Sequence, residues 1–408
     1  MRVLVLSQYF YPENFRINDL SIALRERGFE VTVLSGMPNY PGGKLFDNYS
    51  WWRNRHDQMG GVSILRVPLF LRRRSKGWQL AMNYISFAIS ASVIGSWFLR
   101  GNRFDLIFVY EPSPFTVGLP GMLIRKLKRA PMFLWVQDLW PESLSATGAV
   151  NSPSVLSLVG SMVKMIYRSC DLVLVQSRGF IEPAVAAGAI KNRLKYFPNW
   201  AEPIYRPLSL GPNSQERKEL PVDGLVAMFA GNLGAAQSLD TILDAAEILK
   251  EEQIHLVFLG DGRRRTWMQE QIDMRGLTRV HLLGSRPLET MPAYFSLADV
   301  MLVTLRSDPI LAKTIPGKLQ SYLACGRPVI GALDGEGANV IKESGAGFAV
   351  DSGDAQGLAD SLVRMSKMDV LERQRMGDAA ISYYRNHFDR EELIDRLEEW
   401  VKEACGKR

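Results

Sequence analysis

The chain has 408 residues, too many for one hydrophobic core, so two domains are expected. Its 47% apolar and 23% charged residues exclude a disordered chain, and three scattered cysteines (Cys170, Cys325, Cys405) exclude a disulfide scaffold or a metal-ligand spacing. The net charge of +6 divides unevenly. Residues 1–205 carry 24 Lys/Arg against 13 Asp/Glu and residues 206–408 carry 25 against 30, so the first half is expected to face something anionic.

In chain order, MRVLVLSQYF has no basic region before its apolar run and no cleavage site, so it reads as a strand rather than a signal peptide, which predicts a cytoplasmic protein. The strand VLVLSQYF (3–10) runs into the loop YFYPENFR (9–16). That loop either places Tyr11, Glu13, Asn14 and Arg16 at a strand end or merely starts a helix at Pro12. EVTVLSG (30–36) and SILRVPL (63–69) follow as buried parallel strands. RVPLFLRRRSKGW then sets Arg66, Arg72, Arg73, Arg74 and Lys76 beside Trp78. The apolar run YISFAISASVIGSWFL (84–99) spans about 24 Å, short of a ~30 Å hydrocarbon core, which predicts a packed or interfacial helix. With RKLKR at 125–129, the basic cluster suits an anionic leaflet, or else a solvated loop beside a core helix. DLIFVYEP (105–112) ends at Glu111, and PMFLWVQDLW (131–140) leads to Asp138, Trp140 and Glu142. These groups either touch a ligand or cap helices. DLVLVQS (171–177) closes this half.

Residues 201–224, rich in Pro, Gly and charge, read as the linker between a domain of 1–205 and one of 206–388. The second domain opens with LVAMFAGN (225–232), and HLVFLGDG, VHLLGSR, DVMLVTL, PVIGAL and GFAVDS follow as strands. Its first turn, Gly231-Asn232-Leu233-Gly234, is either a phosphate cradle or a plain connection, and it is neither G-x-G-x-x-G nor a P-loop. The next turn holds Gly260, Asp261, Gly262 and Arg263, with Asp261 placed to cap a helix, and the third strand ends at Ser285 and Arg286. In LAKTIPGKLQSYLACGRPVI, Lys313, Thr314 and Ile315 precede a helix N-terminus at Pro316–Gly317, and Lys318 stands in its first turn. Two ammonium groups with free N–H groups suit a diphosphate, although two loop lysines can also be solvated surface. There is no isolated D-x-D and no His/Cys cluster, so no metal or cofactor is expected. No nucleic-acid motif occurs.

The chain resembles the retaining GT-B glycosyltransferases of family 4. The resemblance rests on SQYFYPENFRINDLSIALRERGFEVTVLSG, WVQDLWPES, SRGFIEPAVAAGAIKNRLKYFPNW, GNLG, LGDG and PGKLQSYLACGRPVI. Within that family it is similar to the bacterial L-fucosamine (FucNAc) transferases of O-antigen and capsule synthesis. The resemblance implies an α/β GT-B fold, two Rossmann-like doubly wound domains facing a central cleft, with a C-terminal helix (389–408) packing back on the first. It implies transfer of N-acetyl-L-fucosamine from a UDP-sugar donor to a lipid-linked saccharide acceptor at the inner membrane surface. A fucosyl or hexosaminyl transferase using a GDP- or UDP-sugar, or a nucleotide-sugar 2-epimerase, is the alternative. Lys318, Lys313, Asp138 and Glu13 would be catalytic. Residues 231–234, 260–263, Ser285, Arg286, Thr314 to Gly317, Gln320 and Ser321 would hold the donor. Tyr11, Asn14, Arg16, Glu111, Trp140 and Glu142 would hold the acceptor. The chain departs from the family in three places. GNLGAAQS lacks the usual Arg and Lys, Lys313 and Ser321 stand where two glutamates are common, and none of its four histidines lies near Asp138.

Overall fold

The computed structural model describes residues 1–50, 54–72, 77–146, 152–210 and 214–406. Two compact units emerge, Met1–Pro198 with Glu391–Arg408, and Asn199–Arg390.

In unit 1 the strands are β1 (Arg2–Ser7), β2 (Glu30–Gly36), β3 (His56–Met59), β4 (Val62–Val67), β5 (Leu106–Glu111), β6 (Met132–Val136), β7 (Leu172–Val175) and β8 (Leu194–Tyr196). They form one sheet in the order β3-β4-β2-β1-β5-β6-β7-β8, parallel except for β3 against β4. The central strands β1, β5 and β6 are apolar on both faces because helices cover both sides, as a parallel sheet requires. Three helices share one core against one face of the sheet: α2 (Gly77–Phe98), α3 (Gly118–Lys128) and α4 (Pro153–Ser169). Before them, α1 (Arg16–Glu26) buries Ile17, Leu20, Ala23 and Leu24 at helical spacing.

Unit 2 has β9 (Leu225–Ala230), β10 (Ile254–Leu259), β11 (Val280–Gly284), β12 (Val300–Thr304), β13 (Val329–Ala332) and β14 (Gly347–Val350). Their order, β11-β10-β9-β12-β13-β14, is the Rossmann pattern, whose direction reverses between β9 and β12. Ligands of such sheets bind at the carboxyl ends of the strands beside that reversal. There lie α5 (Leu239–Ile248) and α6 (Gly317–Ala324), with α7 (Val370–Phe388) packed on α6. The chain then enters α8 (Arg390–Gly406), most of which belongs to unit 1.

The structure differs from the sequence reading in four elements. The edge strands β3 and β8 are additional, because HDQM and LKY carry too little apolar pattern to announce a strand. The stretch 201–224 contains a short helix, Gln215–Lys218, capped by the Ser214 hydroxyl, which accepts from Arg217 N. Finally, α2 is continuous over 22 residues, about 33 Å rather than 24 Å, so length does not keep it from spanning a bilayer. What argues against a span is its fit to the core. Asn83 is buried, accepting from Gln8 Nε2 at 2.7 Å and donating to Phe70 O at 2.6 Å.

Candidate active site

At the end of β9 the chain must turn sharply under its neighbour, and three glycines permit it. Gly260 has φ +140°, and a Cβ there would stand 1.9 Å from Gly231 O. Gly262 is equally confined, 2.4 Å from Leu233 O. The two turns are tied by Gly231 N donating to Leu259 O and Leu233 N to Asp261 O. Asp261 is exposed and accepts from Gly262 N at 2.7 Å within the turn, and the helix that follows, Arg265–Arg275, takes no side-chain cap from it.

Lys318, in the first turn of α6, reaches back over this floor. A Cβ on Gly231 would touch its Nζ at 3.4 Å. The ammonium sits 3.6 Å from the centre of the Phe229 ring and donates to Gln237 Oε1 at 2.6 Å. Desolvation draws its pKa from the ordinary lysine value down to about 7. Gln237 is a residue the sequence reading passed over. Its carbonyl accepts from Thr304 Oγ1, at the end of β12, and Arg306 N donates to the neighbouring Ala236 O. The 235–237 turn is thus pinned across the point where strand order reverses, and Gln237 holds Lys318 above it. Its only sequence signal is a polar residue in AAQS.

The other proposed donor residues divide. Gly317 is exposed with open space around it, and Pro316 caps the helix in extended conformation, so the N-terminus of α6 is accessible. Asn232 is exposed, Leu233 is buried, and Gly234 lies where an added Cβ would meet the Asn232 amide. Lys313 is half-buried in the turn Leu311–Lys313, and Thr314 donates to Ile310 O, both beside the buried Ile315. Arg263 and Ser285 are exposed. Arg286 is already engaged: it pairs with Glu219 at 2.6 Å and donates to Tyr294 OH and Leu283 O, which makes it a tie for the helix at 215–218. Gln320 is fully buried and donates to Asn199 O at 2.7 Å, and Ser321 is buried with its hydroxyl toward Gly317 O. Both lie on the face of α6 that is turned into the core, where Gln320 Oε1 has no hydrogen-bond partner among the described residues.

In unit 1, Glu13 is buried with both oxygens occupied. It accepts from Asn39 N at 2.7 Å, Tyr40 N at 2.6 Å and Phe10 N at 3.2 Å. Desolvation raises its pKa to about 7 despite these N–H groups. Glu13, expected to be catalytic, ties two turns together through these bonds. Tyr11 and Asn14 are exposed and Arg16 is half-buried. Beyond the ends of β5 and β6 the picture reverses. Glu111 is buried and neither carboxyl oxygen has a partner among the described residues, and the Trp140 Nε1 and Thr116 Oγ1 are likewise unmatched. Desolvation holds Glu111 well above the usual carboxylate range, with the Asp138 charge adding to it, and lifts Asp138 to about 6. Gln137 N donates to Glu111 O, which fixes the two strand ends side by side, and Glu142 opens the short helix Glu142–Ala146. Buried polar atoms without partners are rare, which sets Glu111, Thr116 and Trp140 apart from their surroundings.

Of the basic cluster, only Arg66 and Arg72 lie within the described residues. Arg66 is fully buried, bonded to Asp57, Asn54 O and Tyr11 O, and Arg72 stacks 5.3 Å from the Tyr40 ring. Arg73, Arg74 and Lys76 lie outside the described residues, and Trp78 is exposed. Among the described residues no group of three His, Cys, Asp or Glu side chains is assembled for a metal.

Two Rossmann-like units, each with open carboxyl strand ends, and the glycine–lysine floor under β9 can be set beside known proteins. Residues 14–200 match the family described as "Glycosyl transferase 4-like domain", and residues 224–368 match "Glycosyl transferases group 1". The chain is a GT-B glycosyltransferase of this group 1, family 4-like kind. Among curated relatives, the colanic acid biosynthesis glycosyl transferase WcaI of Escherichia coli K12 is 26% identical over 338 residues, spanning 80% of this chain and 82% of WcaI. The glycosyltransferase WbjE of Pseudomonas aeruginosa is 26% identical over 75% of this chain and 76% of its own. Among solved structures, Anabaena Alr3699/HepE in complex with UDP and glucose superposes with TM-score 0.70 at 18% identity, covering 98% of this chain and 99% of that one. WaaG, a glycosyltransferase involved in lipopolysaccharide biosynthesis, gives TM-score 0.67 at 14% identity, covering 98% and 99%. Both share the GT-B fold.

Proposed function

We propose that this glycosyltransferase acts in bacterial surface-polysaccharide synthesis. In this reading it moves N-acetyl-L-fucosamine from its UDP-sugar to a polyprenyl-diphosphate-linked saccharide, with retention of anomeric configuration and without a metal ion. The observation that carries the donor side is Lys318 poised over the Gly231 turn beside the open N-terminus of α6. UDP bound to the Anabaena neighbour and the colanic acid biosynthesis in WcaI's name support the same reading. The acceptor hydroxyl would attack the anomeric carbon on the face from which the diphosphate departs. A new C–O bond forms as the sugar–phosphate bond breaks, and the hydroxyl proton passes to a diphosphate oxygen. Lys318 and the N–H groups of α6 stabilise charge growing on that leaving group. The unmatched Glu111 and Trp140 atoms, beside Asp138, would meet acceptor hydroxyls.

The test is metal-free calorimetry with UDP, GDP, UDP-N-acetyl-L-fucosamine, UDP-GlcNAc and GDP-fucose, followed by turnover of Lys318→Ala. UDP binding and a loss of more than about a hundredfold in turnover, the scale of one removed charge-stabilising donor, are expected. Preference for GDP would replace the fucosamine donor with a fucosyl type. Normal turnover in Lys318→Ala would remove the site.

A further inference from the structure

We infer that one face of unit 1, built from α2, α3 and α4, docks on an anionic phospholipid bilayer and sinks its apolar row into the headgroup region. On α2, Trp78, Met82, Ile85, Ile89, Val93 and Trp97 are all exposed, four of them by 59% or more. At about 100° per residue, Trp97 would have drifted about 100° round the helix from Trp78. A π-turn at Ala91–Gly95 takes up an extra residue and turns the row back into line. The opposite side of α2 is fixed: Phe87 and Ala91 are buried, and a Cβ on Gly95 would stand 2.6 Å from Leu34. The helix therefore lies along the unit with one apolar side in the core and a second apolar side outside.

The row does not stand alone. α3 packs beside α2 and α4 beside α3, all on the same core, so their outward sides continue one surface. There α3 exposes Leu123 and Leu127, and α4 exposes Val155, Leu158 and Met165. A monomeric soluble protein rarely leaves so large an apolar patch open.

Charge selects the occupant. Residues 77–98, 118–128 and 153–169 contain no Asp or Glu. Arg100, Arg103, Lys126, Arg129, Lys164 and Arg168 are exposed around the apolar face, with Arg100 stacked 4.1 Å from the Trp97 ring. Apolar insertion along carboxylate-free helices, bordered by an excess of exposed cations over the half-buried, Arg125-paired Asp171, with a tryptophan near each end of the row, is the chemistry of an interfacial helix on anionic lipid. The inference draws on none of the unit 2 residues proposed to hold the donor, so it stands or falls independently of the donor.

The experiment is flotation of the full chain with vesicles of phosphatidylcholine alone or mixed with phosphatidylglycerol, at low and high salt. Binding to the anionic vesicles that weakens with salt is expected, falling at least about tenfold in Ile85→Glu/Ile89→Glu, as charge on the inserted side demands. Circular dichroism and the thermal transition of that variant should match the parent, since both side chains point outward. A fluorophore on Val93→Cys should shift to the blue only with anionic vesicles. The inference is overturned by absence of vesicle binding, or by binding that the double glutamate variant leaves intact. It is also overturned if the parent sediments as a dimer that this variant dissolves, which would assign the face to a second copy of the chain.

Discussion

Lys318 combines two demands that pull against each other. Burial over Phe229 lowers its pKa to about 7, yet a diphosphate needs it charged. A bound anion favours the ammonium, so nucleotide binding above pH 7 must take up a proton, and affinity is expected to fall as pH rises through 7, by up to about tenfold per unit. Calorimetry of UDP at pH 8 in buffers of different ionisation enthalpy should report that uptake, and Lys318→Met should abolish it. Binding without proton uptake would show that the ammonium stays charged in the free protein. Gln237→Leu removes the oxygen that accepts from Nζ, which drives the pKa lower still, so the loss of affinity should begin at a lower pH. Lys318 was legible in the sequence because P-G-K opens a helix after a loop. Gln237 was not, since its place is decided by Thr304 and Lys318, 67 and 81 residues away.

Between elements, glycine sets how closely the first two turns of unit 2 approach. Gly260→Ala puts a Cβ on Gly231 O at a φ that alanine resists, and backbone at 1.9 Å cannot step aside as a flexible side chain would. A cost of about 3 kcal/mol or more is expected, a drop of about 6–12 °C in the unit 2 transition. Gly317→Ala, with nothing within 4 Å of its Cβ and a helical backbone, should melt no lower than the parent. Equal melting of the two variants would contradict the packing of the turns. These glycines were legible because strand, glycine and helix follow in order in GNLG and LGDG. The surroundings of Arg286 and Gln320 were not legible, for the opposite reason. Side-chain chemistry alone does not say whether a guanidinium points to a ligand or to Glu219, or whether an amide faces solvent or Asn199.

At the scale of the molecule, unit 1 is assembled from both ends of the chain. From α8, Leu393, Ile394, Leu397 and Val401 are buried, and Arg27 pairs with Glu391 at 2.6 Å and Asp395 at 3.0 Å. The Trp400 ring meets Phe197 at 5.9 Å. Four aliphatic side chains taken from water amount to about 6–12 kcal/mol at most, comparable with the whole stability of a domain. The surface ion pairs add little to this. Deleting residues 391–408 is therefore expected to abolish the cooperative transition of unit 1 and to open it to protease. Unit 2 has clusters of its own on both faces of its sheet and should keep its transition. Calorimetry of the truncated chain decides the point. One surviving transition means that the terminal helix completes the unit 1 core, whereas two unchanged transitions would mean that α8 only rests on a domain already closed without it.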